Sequence, residues 1–335
     1  MAATLLDIAK KLNISIATVS RALNDRPGVG SDLRQRVIET ANELGFVPNM
    51  AARSLVTSRT QTIGFVIHPF DQPFSSDPFY FPILMAMEAE LVNQDYHIML
   101  TSVNNDSLTN LRMVEQSRVD GLILAGPNLN PQFVAATLNQ GIPVVLIDNK
   151  PGYRKANVIL TDDAGGAYEA TTHLAGHGHT RIAHIGGPLE WVSNRHRYNG
   201  YRAAMRDNGL AENVRAIHKD STTIATGEQA AAELLDSPEP PTAIFAANDS
   251  MALGAARAAA ARGLSIPGDL ALVGFDNISV AEHFSPPLTT VRIFKEQIGR
   301  MAAHRILELV NEPDIPPVES SVSTELVTRQ SCGCN

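Results

Sequence analysis

Cysteine is almost absent from this chain: 335 residues hold two, Cys332 and Cys334, both near the C-terminal end. No disulfide framework can be built from them, which fits a reducing cytoplasm. No apolar run approaches the ~18 residues that a membrane span needs. The first residues hold no basic segment followed by an apolar one, so no secretory leader is expected. Reaction signatures are missing as well. There is no G-x-x-x-x-G-K-[ST] phosphate loop, no G-x-S-x-G elbow and no Rossmann fingerprint. His173, His177 and His179, with His184 beyond, invite a metal reading. His173 and His177 stand i, i+4 and can share a helix face, but no H-E-x-x-H accompanies them. Cys332-Gly-Cys334 has no second pair to complete a zinc site. No enzyme activity, no cofactor and no metal are therefore expected.

What is present suits a globular protein of two or three domains, with 44% hydrophobic and 19% charged residues. The net charge of −8 argues against nucleic acid, but its distribution does not. Residues 1–60 carry eight Lys/Arg against five Asp/Glu, a net of +3, which leaves −11 for the remainder. A basic head on an acidic body is the pattern of a protein whose head alone touches phosphate.

Within that head, Thr4 to Asn24 reads as two short helices joined by a tight turn. Thr4 with Asp7 makes a capping box. Leu5, Ile8, Ala9 and Leu12 then fall on one apolar stripe. Asn13-Ile14 breaks the pattern, and Ser15 suits the N-cap of a second helix through about Leu23. Val19, Ala22 and Leu23 can face inward, which leaves Ile16, Ala17, Thr18, Ser20 and Arg21 facing out. Few charges, small residues at the N-terminal end and one Arg a turn later suit a DNA major groove. The same residues also suit an ordinary helical hairpin. After the turn-rich DRPGVG loop, a third helix is predicted over roughly 31–44. Its face carries Leu33, Val37, Ile38, Ala41 and Leu44, and Gly45 can form a left-handed cap. Residues 49–60 read either as a plain linker or as a short helix capped by Asn49. Leu55 has no local partner in that helix, which is too short to stand alone and could instead wedge into a minor groove.

From Thr62 onward, short apolar runs alternate with helical stretches: TIGFVI, HIMLTS, GLILAG and PVVLID, then RIAHIGG, VRAIH, TAIFAAN and LALVGFD. This alternation predicts an α/β core of two doubly wound parallel-sheet lobes, each binding at its strand C-terminal ends.

Residues 4–60, through TLLDIAKKLNIS-x-ATVSRALN and GFVPNMAARSL, resemble the head and hinge of the LacI/GalR family of bacterial transcription regulators. The body resembles that family's effector core through RVDGLIL, GIPVVLID, LAGHGHTRIAHIGGP, RHRYNGYRAAM, PTAIFAANDSMALGA, LALVGFDN and PPLTTV. The resemblance implies a three-helix helix-turn-helix head (1–46), a hinge helix (47–60) and a two-lobed periplasmic-binding-protein-like core (61–335). It puts lobe 1 at about 61–161 and 293–322, and lobe 2 at about 162–291 and 324–331. Chain crossings are implied near 160–163, 290–292 and 322–324. Leu5, Leu6, Ser15, Ile16, Ala17, Thr18, Ser20, Arg21 and Asn24 are the implied DNA contacts of the head, with Asn49, Ala52 and Leu55 in the hinge. Arg21 can hold a guanine edge in bidentate fashion, or else a phosphate; apolar Ile16 and Ala17 occupy the two positions that vary with operator sequence.

In the core, Arg197 matches the arginine that the family points at its ligand, and a guanidinium can bind two neighbouring hydroxyls. Asn248, Asp276, Asp148 and Asp162 follow strands and suit a sugar's paired hydroxyls, although an aspartate there can equally be an N-cap. Trp191, the only tryptophan, lies near Ser193 and could stack on a sugar together with Tyr80. Ile293-Phe294 stands where several relatives carry a polar glutamine. These calls imply a dimeric repressor of carbohydrate genes that binds palindromic double-stranded DNA and responds to a sugar effector. A nucleobase or nucleoside effector, and a sugar-binding transport protein, are the alternatives. The tail has no apolar heptads, so a homodimer is expected and no higher oligomer.

Overall fold

A computed structural model describes residues 3–23, 25–46, 59–67, 74–103, 111–150, 152 and 156–334. The chain divides into two compact units, Met1–Thr60 and Gln61–Asn335. In the first, α1 (Leu5–Leu12) starts at the capping box: Asp7 N donates to Thr4 Oγ1, and Thr4 N donates to Asp7 Oδ2 at 2.9 Å. Asn13, at φ 54°, turns the chain out of the helix. α2 (Ile16–Leu23) is capped by Ser15, whose Oγ accepts from Thr18 N at 3.0 Å. α3 (Ser31–Glu43) ends before Gly45, at φ 62°. Ile8, Ala9, Val19, Ala22, Val37 and Ala41 form the core, edged by Leu5, Leu12, Leu23, Leu33 and Leu44. Ile38 does not join it and is 39% exposed. Thr40 is buried in its place, because Val37, Thr40, Ala41 and Leu44 continue the i, i+3, i+4, i+7 stripe and Ile38 points a quarter-turn away. The hinge positions Asn49, Ala52 and Leu55, and Asn24 at the end of α2, lie outside the described residues.

The second unit holds two six-stranded sheets. Its first half runs β1 (Thr62–Ile67), α4 (Tyr80–Val92), β2 (His97–Ser102), α5 (Arg112–Glu115), β3 (Gly121–Ala125), α6 (Pro131–Leu138), β4 (Val144–Ile147) and β5 (Asn157–Thr161). The second half runs α7 (Asp163–Gly176), β6 (Ile182–Gly186), α8 (Val192–Asp207), β7 (Arg215–His218), α9 (Ile224–Leu235), β8 (Ala243–Ala246), α10 (Asp249–Ala260), β9 (Ala271–Asp276), α11 (Ser279–His283) and β10 (Thr289–Ile293). α12 (Lys295–Asn311), β11 (Glu319–Val322) and β12 (Thr324–Val327) complete it. Lobe 1 orders its strands β11-β5-β4-β3-β1-β2, all parallel; lobe 2 orders them β12-β10-β9-β8-β6-β7, with β12 alone antiparallel. The inner strands are buried on both faces, as helix-covered parallel strands require, whereas the edge strands β2, β7, β11 and β12 are partly exposed. Ile83, Met87 and Leu91 of α4, with Ile298, Ala302 and Ile306 of α12, share one cluster with Phe65 and Ile123 of the sheet.

The chain passes between lobes at Asp162, Phe294 and Ser323. The middle crossing falls later than the expected 290–292, because β10 keeps pairing through Ile293, opposite Thr324. Among the described residues, no helix is long and apolar enough to cross a membrane.

Candidate functional site

On the head, α2 presents Ser15, Ile16, Ala17 and Arg21 to solvent, with Thr18 and Ser20 half-buried beside them. Ile16 is 45% exposed and Leu6 of α1 46%, while Leu5 is half-buried against the core. The face thus offers hydroxyls, methyl groups and a single guanidinium. Apolar side chains of this size cost free energy in water and gain by contact with a thymine methyl or a sugar edge.

In the core, a charged cluster gathers at the C-terminal ends of strands from both lobes. Asp148 follows β4 at φ 53°, and Asp276 ends β9 at φ 99°. Both hold a left-handed backbone, which aspartate tolerates better than most residues. Arg197 of α8 reaches across this cluster. Its Nε donates to Asp163 Oδ1 at 2.8 Å, its Nη1 to Ala247 O and lies 3.2 Å from Asp276 Oδ1, and its guanidinium sits 3.9 Å above the Phe275 ring. Gly200 permits this placement: a Cβ there would lie 2.2 Å from Ala164 O, so only glycine lets α8 close on α7. From lobe 1, Tyr80 Oη donates to Asp148 Oδ2 at 2.8 Å, and the Ser193 hydroxyl of lobe 2 bonds the same carboxylate. Lys295, first residue of α12, donates to Asp276 O.

The electrostatics follow from burial. Asp148 is pushed up to about 7 by desolvation and by the Asp163 charge, against Arg197 and the bonds from Tyr80 and Ser193. Desolvation raises Asp276 to about 6 despite Arg197 and Lys295. Asp249, fully buried, rises to about 7 through desolvation and the Asp276 charge, although Thr290 Oγ1 and Ile278 N both donate to it. Asp163 is raised by burial and Lys295 lowered by it. Four carboxyls thus face two cations, and several are poised between donor and acceptor near neutrality. Asp276 Oδ1 remains buried without a hydrogen-bond partner among the described residues; its contact to Arg197 is ionic only. Such a site suits a neutral, hydroxyl-rich ligand.

Tyr80, Asp148, Ser193, Arg197 and Asp276 are therefore brought together. Asp162 is not part of the charge cluster: it is exposed and caps α7, accepting from Gly165 N at 2.9 Å, and the inward carboxylate is its neighbour Asp163. Asn248 likewise caps α10, accepting from Met251 N at 2.8 Å and donating to Thr222 O, while Asp249 turns inward. Trp191 stands half-buried at the N-cap position of α8. Asp163, Asp249 and Lys295 were missed by sequence reasoning. The signal for the two acids is a cap residue followed by Asp, as in Asp162-Asp163 and Asn248-Asp249, which puts the second carboxylate at the first helical position.

The histidines separate. His179 Nδ1 meets Thr242 Oγ1 at 3.0 Å, and His184, fully buried, meets Phe245 O at 3.1 Å and is pushed down to about 3 by desolvation. His173 instead meets both cysteines and His177 meets Cys334. Two open grooves, of about 290 Å³ beside Met99 and Arg118 and about 750 Å³ beside His304 and Val318, share no residue with the charged cluster.

Residues 4–49 match the family described as bacterial regulatory proteins, lacI family, and residues 171–332 match the periplasmic binding protein-like domain. The chain is 31% identical to the HTH-type transcriptional repressor PurR of Aliivibrio salmonicida, over 98% of both chains. Two solved structures are similar throughout. The Lac repressor dimer bound to operator and the anti-inducer ONPF superposes with a TM-score of 0.85 at 27% identity, covering 99% of both chains. The transcriptional regulator CelR in complex with cellobiose gives 0.73 at 30% identity, covering 98% of this chain and 99% of that one.

Proposed function

This chain belongs to the lacI family of bacterial regulatory proteins, and from that premise we propose that it represses transcription from a palindromic operator under the control of a small sugar. Residues 1–46 read the DNA, 47–60 act as hinge, and 61–335 bind effector and a second copy of the chain. Double-stranded DNA is the macromolecular partner, which places the protein in the cytoplasm. A two-fold dimer sets two copies of α2 on two half-sites, because operator symmetry mirrors protein symmetry. Arg21 takes a guanine edge, Ile16 and Ala17 take methyl groups, and Leu5, Leu6, Ser15, Thr18, Ser20 and Asn24 complete the contacts. Asn49, Ala52 and Leu55 carry the hinge contact, with Leu55 as the minor-groove wedge.

The observation that carries the effector assignment is the Arg197 cluster spanning both lobes. Asp148, Asp163 and Asp276 offer paired acceptors, the lone Oδ1 of Asp276 among them, and Arg197 offers donors. A sugar satisfies both through its hydroxyls, with Tyr80 and Trp191 against its apolar face and Asn248 at the margin. The bound sugar touches both lobes, so its affinity depends on their relative angle. Effector and operator prefer different angles, and each changes the other's affinity. The complex of a relative with cellobiose supports a sugar as the effector class.

The test is a gel shift with DNA upstream of the gene, repeated across a panel of neutral sugars, sugar phosphates and nucleosides, with Trp191 fluorescence followed in parallel. A salt-sensitive complex altered by a neutral sugar is expected. A response to nucleosides and to none of the sugars would replace the sugar by a base.

A further inference from the structure

Four metal-ligating side chains meet on lobe 2, away from the charged cluster, drawn from the first helix of that lobe and from the C-terminal tail. His173 lies in the last turn of α7 and His177 at its C-cap, four residues on and on the same face. Their rings stand edge to face, 4.7 Å between centroids. The C-terminal tail supplies the rest, and it is firmly held. Ser331, fully buried, donates to Leu272 O at 2.6 Å, while Thr289 N donates to its Oγ at 2.8 Å. Leu272 N donates to Ser331 O, and Arg329 N to Thr289 Oγ1. These bonds lay 329–331 on β9 and β10 and bring the next residues against the end of α7.

Cys334 Sγ lies 3.4 Å from His173 Nε2 and 3.3 Å from His177 Nε2; Cys332 Sγ lies 3.3 Å from His173 Nε2 and 3.0 Å from Cys334 Sγ. The ligand atoms of His173, His177 and Cys334 are all within 4.8 Å of one another. Gly333 between the cysteines adopts φ 92°, which curls the tail so that both sulfurs meet on one side.

We propose that His173, His177, Cys332 and Cys334 form a binding site for one divalent transition metal of the zinc class. Two imidazole nitrogens with two thiolates make the tetrahedral donor set that zinc favours over harder ions. With Zn–N of ~2.0–2.1 Å and Zn–S of ~2.3 Å, tetrahedral donors stand roughly 3.3–3.8 Å apart. Three of the nitrogen–sulfur separations already fit at 3.3–3.4 Å. Cys332, which stands outside the three-ligand group, must approach His177 as the two sulfurs part by under ~1 Å, a movement that Gly333 allows. No carboxylate belongs to this group, so calcium and magnesium are excluded. Binding takes the metal from solution on the side of exposed His177, and each cysteine that ligates releases its thiol proton to solvent. The ion ties the tail to α7, the first helix of lobe 2, and so stabilises that lobe when bound.

The test uses the untagged full-length chain, reduced, stripped with chelator and titrated anaerobically with Co(II). Expected are the intense visible bands of four-coordinate cobalt with thiolate charge transfer, saturating at one ion per chain and displaced by Zn(II). Zn(II) also raises the melting temperature by a few degrees. Cys334→Ser and His177→Ala each remove the bands and the zinc-dependent shift, while the metal-free melting temperature and operator affinity stay near wild type. Wild type that takes up no tetrahedral cobalt overturns the site. So does an unchanged spectrum in both variants, or thiols trapped from fresh lysate as a Cys332–Cys334 disulfide.

Discussion

Arg197 commits two of its nitrogens inside the protein, Nε to Asp163 and Nη1 to Ala247 O, with Asp276 as an ionic neighbour of Nη1. The family resemblance pointed it at the effector, but this internal load was not legible, because the partners lie 34 and 50 residues away. Arg197→Ala leaves Asp163 and Asp276 buried without their cation, and breaking such a pair costs roughly 3–5 kcal/mol. Urea unfolding at neutral pH should show that loss, together with loss of the sugar response. The cost should shrink towards pH 5, as Asp276, raised to about 6 by burial, takes up a proton and needs no cation. The wild-type core has its own pH slope. Asp148 and Asp249 titrate at about 7 and Asp276 at about 6, above the ordinary 3.8, so the native chain holds protons that the unfolded chain releases. Stability from these groups is full below the unfolded value and is lost as pH rises through about 6 to 7. Thermal melts across that window should therefore fall with rising pH, and Asp148→Asn should flatten part of the slope. An unchanged slope in that variant would remove Asp148 from the account.

Elements were easier to read than contacts. Strands β1–β4 and β6–β9 were legible as short apolar-rich runs, while β5 and β10–β12 were not read as strands. The capping box at Thr4 and the left-handed cap at Gly45 were visible as local patterns. Local rules also explain the misses. β10 outlasts the expected crossing because its pairing with β12 is decided by a strand 30 residues later, and Ile38 leaves the head's core because Thr40 fits the stripe. The meeting of His177 with Cys334 joins residues 157 apart, which no local periodicity encodes. The α7–α8 contact is the element on which the effector site turns. Gly200→Ala sets a methyl 2.2 Å from Ala164 O, a backbone atom that cannot swing aside, so the helices must part. Overpacking of this kind costs about 1–3 kcal/mol. It also draws Arg197 away from Asp163. Urea midpoints should drop, and sugar affinity should fall by more than the stability loss alone explains. A variant with normal sugar affinity would show that α8 is not held in place there.

At the scale of the whole molecule, the basic head and acidic core divide the work, and the division has a thermodynamic signature. Arg21→Ala should weaken operator binding by about 1–3 kcal/mol and relax preference at one base pair, if its contact is to a guanine edge. A phosphate contact would instead weaken all sequences alike and lower the salt slope by about one. Sugar binding to the free core should be untouched in either case, since Arg21 lies in the other compact unit. In wild type the two ligands must answer to each other. If the sugar lowers operator affinity by some factor, operator DNA lowers sugar affinity by that same factor, because the four states close a cycle. All four constants are measurable: operator affinity by anisotropy with and without saturating sugar, and sugar affinity by Trp191 fluorescence with and without operator. Equal factors within error are expected. Unequal factors would mean that a further species, such as a dissociated dimer, takes part in the cycle. Repeating the measurements at several protein concentrations identifies that species, since only dissociation makes the discrepancy depend on concentration.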